Sequence, residues 1–161
     1  MNSNFQAYGK GIEFDHMPAP FFLVGLLNAF NNRFQGAGDR FFQEISWKQC
    51  FLLNCIPLFR TAPTIRELGE LVGCSHQNTK QLLEKLERAG FVALAQDGTD
   101  RRKRRIYLTE KAQDFRRRYN EQSGAFMERL FSCLGEEELQ DTIKTIAKLD
   151  ARLKEMTAEG L

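Results

Sequence analysis

The side chains best suited to chemistry form an amide-rich cluster and a basic cluster in the middle of the chain. Gln77, Asn78 and Gln81 lie close together with Lys80 among them, and residues 101–105 are an uninterrupted run of Lys and Arg. Amide side chains can form paired hydrogen bonds with adenine, whereas Lys and Arg can bind guanine or phosphate. These residue types and spacings predict recognition of a nucleic acid, not a chemical reaction.

Charge is distributed unevenly along the chain. The 161 residues have a formal net charge of +2, and 42% are hydrophobic and 27% charged, as is typical of a soluble globular protein. Residues 60–118 hold 14 of the 23 Lys and Arg but only 8 of the 21 Asp and Glu, so this segment has a charge of +6 and the remainder −4. A basic segment between acidic ends predicts a polyanionic partner for that segment.

Two short helices joined by a tight turn are predicted to carry the amide cluster. Thr64 and Ser75 are placed to cap the first and second helix, and Gly73 suits the left-handed residue that follows the first. At 100° per residue, the second helix gathers one mainly apolar face, which consists of Thr79, Leu82, Leu83 and Leu86. Its opposite face is polar, and the pair is predicted to be a helix-turn-helix unit.

A β-hairpin with a basic tip is predicted directly after the second helix. Gly90 ends that helix, residues 91–96 alternate as a strand, residues 97–100 have turn chemistry, and residues 106–109 return as the second strand. A narrow basic hairpin can enter the minor groove of DNA, where Arg is attracted by the negative potential. A basic run by itself is a weak indication, but after a helix-turn-helix it indicates a winged DNA-binding domain.

The candidate DNA-binding residues lie on these two elements. Gln77, Asn78 and Gln81 are predicted to read bases, and phosphate or base contacts are assigned to a second group of side chains, His76, Lys80 and Lys103. The complete candidate set also includes the cap residue and the rest of the hairpin tip, and comprises Ser75, His76, Gln77, Asn78, Lys80, Gln81, Asp100, Arg101, Arg102, Lys103 and Arg104.

The same stretch resembles a known family. The residues that carry the resemblance are Glu67, Leu68, Gly73, Ser75, Lys85, Leu86, Glu87, Gly90, Phe91, Val92, Asp100, Arg102, Leu108 and Thr109. Their pattern is similar to that of the multiple-antibiotic-resistance regulator (MarR) family of bacterial transcription factors, over roughly residues 46–134. The family often has a glycine three residues after the Leu-Thr pair, where this chain has Ala112. Alanine favours a helix, so this departure does not threaten the fold.

The resemblance implies a homodimer of winged helix-turn-helix lobes joined by N- and C-terminal helices, with repression as the favoured mode of regulation. Asp100 would orient the wing and Arg102 would enter the minor groove. A small-molecule effector or an oxidant would change the separation of the two recognition helices. Phe30 and Phe34 motivate an effector site between the first helix and the DNA-binding lobe.

The flanking segments have apolar stripes that agree with dimerisation. The first helix is expected to begin after Pro20 and to break at residues 35–40, where two glycines occur. A helix capped by Ser46 is expected to kink or end at Pro57, with an inward side formed by Trp47, Cys50, Phe51, Leu53, Ile56 and Leu58. Beyond Thr109, two helices separated by Gly135 end in an apolar stripe formed by Leu139, Ile143, Ile146, Leu149, Leu153 and Met156.

The fold class expected is therefore mainly α with a small β-hairpin. Three segments are predicted: an N-terminal arm and dimerisation helix in 1–45, a winged helix-turn-helix domain in 46–109, and C-terminal dimerisation helices in 110–161. The predicted partners are double-stranded DNA, a second copy of the chain and a small-molecule effector. No apolar run reaches the length of about 20 residues that spans a bilayer, so a cytoplasmic protein without a membrane partner is expected.

Other classes of function find less support. The sequence has only two histidines and lacks a His-Asp-Ser set, a Gly-rich phosphate loop and a metal motif, so neither an enzyme nor a bound metal or cofactor is expected. The four cysteines are unevenly spaced and are interpreted as small buried hydrophobic residues, with a redox-sensing regulator of the same fold as the alternative. A winged helix used for protein contacts would not require the basic run at 101–105.

Overall fold

The computed structural model describes residues 16–100 and 102–160, so that Arg101 lies outside the described residues. In this part of the chain six α-helices accompany one two-stranded sheet, which confirms the expected mainly α class. In chain order the elements are α1 (Ala19–Phe41), α2 (Trp47–Cys55), α3 (Ile65–Val72), α4 (His76–Arg88), β1 (Val92–Gln96), β2 (Arg104–Leu108), α5 (Glu110–Phe131) and α6 (Glu136–Ala158). The chain divides into two compact units, one up to Ala112 and one from Gln113.

Helix α1 begins two residues earlier than expected, at Ala19, and does not break at its two C-terminal glycines. It continues through Gly36 and Gly38 to Phe41, so the predicted break was wrong. Gly38 is buried, and a Cβ atom at this position would lie 2.8 Å from atoms of the Trp47 side chain. Glycine is therefore needed here for close helix packing, and its cost to helix propensity, about 1 kcal/mol, is not enough to end the helix.

Helix α2 begins with the predicted Ser46 cap. The Ser46 hydroxyl accepts a hydrogen bond from the Gln49 amide at 3.3 Å, and the Gln49 side chain accepts one from the Ser46 amide at 2.9 Å. The buried residues of the segment are Cys50, Leu52, Leu53, Cys55 and Ile56.

Two residues expected on the inner side of α2 are instead exposed. Phe51 is 44% exposed and stacks on Trp47 one helical turn earlier. Leu58 is 72% exposed because Pro57 turns the chain into a 3-10 turn, so that the 100° spacing no longer holds. Leu52, and not Phe51, is the residue at this point of α2 that is buried in the core.

The helix-turn-helix forms as expected from its caps. The Thr64 hydroxyl accepts a hydrogen bond from the Glu67 amide at 3.2 Å, and Ser75 caps α4 through the Asn78 amide at 3.3 Å. Gly73 adopts a left-handed φ of 67° between the helices. The inner faces of α3 and α4 pack through a set of fully buried side chains, Leu68, Thr79, Leu83 and Leu86.

The hairpin is antiparallel, with Val92 opposite Leu108 and Gln96 opposite Arg104. Its second strand begins at Arg104, two residues before the expected start, because the last two residues of the basic run pair with β1. The Ile106 amide donates to the Pro63 carbonyl at 2.9 Å, which attaches the base of the hairpin to the segment that precedes α3.

The start of α5 is bound to the end of α4. The Thr109 hydroxyl caps α5 by accepting from the Ala112 amide at 3.3 Å, and it also lies 2.7 Å from the Gly90 carbonyl, to which it donates. The Lys111 ammonium donates to the Ala89 carbonyl at 3.0 Å and lies 4.5 Å from the centre of the Phe91 ring. Gly90, at a φ of 77°, makes the turn between α4 and β1.

The unit from Gln113 onwards contains most of α5 and all of α6. Gly135 separates the two helices, and its amide donates to the Glu138 carboxylate at 2.8 Å. None of the residues of α6 is buried, and Ile143, Leu149 and Leu153 are each about half exposed. Of the helices in the described part of the chain, none is apolar over the length needed to span a bilayer.

Candidate nucleic-acid interface

The polar face of α4 is the first half of the candidate interface. Gln77, Asn78 and Gln81 are exposed. The opposite face of their helix is held in the core by buried leucines. The Lys80 ammonium lies 3.8 Å from the Glu84 carboxylate, so part of its charge is balanced within the helix. His76 is exposed in the first turn of α4, while the Ser75 hydroxyl is used in capping. This face can donate and accept hydrogen bonds along two helical turns.

The hairpin tip is the second half, and two aspartates determine its shape. The Asp97 carboxylate accepts hydrogen bonds from the Thr99 amide at 2.8 Å, the Thr99 hydroxyl at 2.7 Å and the Asp100 amide at 2.9 Å. The Asp100 carboxylate accepts from the Arg102 amide at 3.1 Å, and the Arg102 side chain is 92% exposed. The turn therefore holds the Arg102 backbone, while the exposed Arg102 guanidinium makes a contact with the Asp100 carboxylate, at 3.4 Å from Nε.

The basic residues after Arg102 have different environments. The Lys103 ammonium lies 3.7 Å from the Asp100 carboxylate, and the Arg104 guanidinium lies 3.8 Å from the Glu87 carboxylate at the end of α4. Arg105 is only 22% exposed at its side chain and forms its ion pairs inside the unit. The basic run is therefore not uniformly available to a partner.

Three residues outside the candidate set help to build this surface. Asp97 orders the turn, and Arg105 lies 2.6 Å from Asp97 and 3.2 Å from Glu67. Alternation along β2 would have placed Arg105 on the face opposite the buried Ile106, so the sequence pattern gave no signal for its partly buried position. The sequence did not reveal that Asp97 is the acceptor for so many groups.

The network shifts the acid–base properties of its members. Hydrogen bonds from the Thr99 hydroxyl, the Asp100 amide and the Arg105 guanidinium lower the pKa of Asp97 well below its ordinary value. Hydrogen bonds from the amide and hydroxyl of Thr64 lower the pKa of Glu67. Both carboxylates are therefore ionised at neutral pH, with Arg105 between them.

Asp97→Asn is expected to lower the melting temperature by an amount that depends on pH. An asparagine oxygen can still accept the turn hydrogen bonds, but the negative charge facing Arg105 is lost. Because the folded-state pKa of Asp97 lies below its ordinary value of 3.8, the stabilisation by its charge is complete at neutral pH and is lost as the pH falls through the folded-state value. In thermal unfolding followed by circular dichroism, the difference between parent and variant should be constant from about pH 6 to pH 8 and should shrink below about pH 4. A difference that grows on acidification would contradict this account.

The aromatic residues assigned to an effector site lie at the contact between α1 and α2. The Phe30 and Phe34 rings stack with centroids 5.8 Å apart, and the Phe34 ring meets the Trp47 ring edge-on at 4.5 Å. Phe30 is 47% exposed. The effector site remains a prediction, and the structure assigns Phe34 a packing role beside Trp47.

The cysteines and acidic residues do not form a reactive or metal-binding cluster in the part of the chain that the structure describes. Cys50 and Cys55 are buried, and burial raises the pKa of the Cys55 thiol, which reduces its thiolate fraction. Cys133 is exposed and Cys74 is only partly buried, so the interpretation of all four cysteines as buried residues was wrong for these two. Within residues 16–100 and 102–160, no three His, Cys, Asp or Glu side chains converge as metal ligands.

Comparison with known proteins supports the fold that the sequence resemblance implied. No protein-family model matches the chain. The MarR protein from Peptoclostridium difficile superposes with a TM-score of 0.78 over 92% of this chain and 96% of that chain, at 19% identity. The chain has the MarR fold. The expected resemblance to the MarR family is thereby confirmed at the level of structure.

Other proteins with the MarR fold have been solved with partners. S. aureus MepR in a DNA complex gives a TM-score of 0.72 at 18% identity, over 80% of this chain and 96% of that chain. The organohalide-sensing regulator RdhR in its 2,4-dichlorophenol-bound form gives a TM-score of 0.76 at 19% identity, over 94% of this chain and 89% of that chain. The first of these neighbours is a complex with DNA, and the second is a transcriptional regulator with a bound small molecule.

Proposed function

We propose that this chain is a cytoplasmic, dimeric transcriptional regulator that represses from a pseudo-palindromic operator. The observation that carries the proposal is the combination, in one compact unit, of an exposed amide-rich face on α4 with an exposed arginine at a hydrogen-bonded hairpin tip. Each of these features has an ordinary structural explanation when taken singly. Together they match the two grooves of DNA, and structural neighbours of this fold include a DNA complex.

The proposed division of labour follows from the chemistry of the two surfaces. Helix α4 would enter the major groove, where Gln77, Asn78 and Gln81 can read base edges. The hairpin would lie at the adjacent minor groove, where Arg102 contributes affinity through the negative potential. Two copies related by a two-fold axis would contact half-sites about 10 base pairs apart.

The proposed dimer rests on apolar surface that the single chain leaves exposed. On α1, Phe21 is 72% exposed and Val24 67% exposed, and the three apolar residues Ile143, Leu149 and Leu153 of α6 are each about half exposed. Exposed apolar side chains of this kind on a helix commonly mark an interface. A second copy of the chain is proposed to cover these apolar residues. The same copy would supply the second recognition helix of the two-fold arrangement.

A small aromatic molecule is the proposed effector. Phe30, Phe34 and Trp47 provide aromatic surfaces on α1 and α2, and a neighbour of the same fold is bound to 2,4-dichlorophenol. A ligand that binds one arrangement of the dimer better than another would shift the population away from DNA binding. Burial of Cys50 and Cys55 makes a thiol switch at these residues the weaker alternative.

Selection of DNA from a randomised duplex library, followed by gel-shift titration, tests the proposal. Gln77→Ala should cost about 1–3 kcal/mol at particular base pairs, because one side chain reads a limited part of the site. Arg102→Ala should weaken binding to all sequences. Gln140→Ala, an amide substitution on α6, is the matched control and should leave affinity unchanged.

Two results would refute the DNA-binding assignment. One is a parent protein that shows no sequence preference at about 0.15 M salt, since specific regulators bind far more tightly than their non-specific affinity. The other is an unchanged affinity and sequence preference in both Gln77→Ala and Arg102→Ala.

A further inference from the structure

We propose that Arg105 is a positioning residue that fixes the wing, defined as residues 92–108, against the helix-turn-helix and does not itself bind DNA. This inference rests on the proposed DNA-binding function. It assigns the last residue of the basic run a role different from that of the exposed Arg102.

Three acceptors surround the Arg105 guanidinium. Its Nε lies 2.6 Å from Oδ2 of Asp97 in the hairpin turn. Its Nη1 donates to the Ala62 carbonyl at 2.9 Å and lies 3.2 Å from Oε2 of Glu67 in α3. One side chain therefore joins the hairpin turn, the connector before α3 and the first turn of α3.

Glu67 makes this link part of a helix cap. The same Oε2 atom that faces Arg105 accepts a hydrogen bond from the Thr64 amide at 2.7 Å. The backbones of Thr64 and Arg105 also form an antiparallel bridge. The orientation of the wing is thus defined by both side-chain and backbone contacts with the N-terminus of α3.

The guanidinium of Arg105 is also poorly placed to move to a phosphate. The Asp97 side chain is only 9% exposed, and departure of Arg105 would leave its charge without this partner. Removing one member of a sheltered ion pair is costly because the remaining charge is incompletely solvated. Arg102 also has a carboxylate partner, Asp100, at 3.4 Å, but the Arg102 side chain is 92% exposed, so leaving that partner for DNA costs much less.

Arg105 acts on Arg102 through Asp97. The Asp97 carboxylate holds the amides of Thr99 and Asp100, and Asp100 in turn holds the amide of Arg102. Loss of Arg105 would leave Oδ2 of Asp97 without its guanidinium partner. It would also remove the side-chain link between the wing and α3. The Arg102 side chain would then no longer be presented at a fixed position.

A double-mutant cycle in the full chain tests this role, with a duplex recovered by selection from a randomised library as the probe. Arg102→Ala alone is expected to weaken binding about tenfold, as is Arg105→Gln alone. In the Arg105→Gln background, Arg102→Ala should have an effect of at most about twofold, because Arg102 is already displaced. Arg105→Lys, which keeps the charge but not the geometry of the guanidinium, should restore binding only in part. Additive effects in the cycle would overturn the proposal.

Asp97→Asn gives a second readout that separates positioning from simple electrostatics. Removing a negative charge near a DNA-binding surface should strengthen binding if only net charge matters. The positioning role predicts that Asp97→Asn weakens binding severalfold, as Arg105→Gln does. Stronger binding by Asp97→Asn would overturn the proposal, and this variant also keeps it testable if Arg105→Gln fails to fold.

The matched control is Arg66→Gln, which removes the same charge from an exposed ion pair with Glu70 on α3. It should change affinity by no more than about twofold, as is usual for exposed pairs. If the parent binds no selected duplex, the proposed function fails and the positioning role fails with it. If the parent binds and the cycle is additive, only the positioning role fails.

Discussion

The double variant Leu149→Glu, Leu153→Glu is expected to be monomeric and to lose operator binding. Both side chains are about half exposed on α6, and in the proposed dimer they would be covered by the second copy. Placing carboxylates in an apolar interface costs several kcal/mol, so the dimer dissociation constant should rise by a factor of about 1,000 or more. Because two linked half-site contacts then become two independent ones, DNA affinity should fall by a factor of about 100 or more.

Sedimentation velocity and gel-shift titration check the two parts of this prediction. The control is Ala151→Glu, which adds one carboxylate, against two in the double variant, at an exposed position of α6 outside the apolar stripe. It should remain a dimer with parental affinity. A parent that sediments as a monomer, or a double variant that remains a dimer, would contradict the proposed assembly.

Gly38→Ala is expected to destabilise the protein by about 1–3 kcal/mol, as is typical of overpacked contacts. The new methyl group would meet the Trp47 side chain at 2.8 Å, and a rigid ring cannot move aside as the end of a flexible side chain can. This clash outweighs the gain of about 1 kcal/mol that alanine brings to a helix interior. Urea unfolding at matched protein concentration measures the difference.

Gly36→Ala is the control within the same helix. A Cβ atom at Gly36 would have no neighbour within 4 Å, so only the helix-propensity gain applies. We expect stabilisation by up to about 1 kcal/mol. Equal effects of the two substitutions would show that the Trp47 contact does not determine the role of Gly38.

Local chemistry explains why much of the fold could be predicted from the sequence. The caps at Ser46, Thr64 and Ser75 depend on residues only three positions away, and each forms as expected. The left-handed turn at Gly73 is equally local, because few other residues adopt a positive φ without strain. Periodicity in α4 also assigned Thr79, Leu83 and Leu86 correctly to the buried face, whereas Leu82 is only partly buried.

Contacts between distant residues explain the errors. The two glycines of α1 suggested a break because the sequence does not reveal that Trp47 packs against Gly38. The inner side of α2 was assigned by helical spacing, which fails at Leu58 beyond the turn made by Pro57.

Prediction of the candidate interface was limited in the same way, because it also depends on contacts between residues distant in sequence. Five consecutive basic residues have similar chemistry, and only the register of the hairpin determines which of them faces inward. That register turns Arg105 toward Asp97, while Arg102 projects from the turn. The set of DNA-binding residues itself remains a prediction.

The hydroxyl of Thr109 couples local unfolding at the end of α4 to local unfolding at the start of α5. It accepts a hydrogen bond from the Ala112 amide at the start of α5 and donates to the carbonyl of Gly90 just after α4. Fraying at either helix end therefore breaks the contacts of the other. In hydrogen–deuterium exchange, the last turn of α4 and the first turn of α5 should become labelled together, as one cooperative opening unit. A movement of the first turn of α5 would then reach α4 without crossing the hydrophobic core.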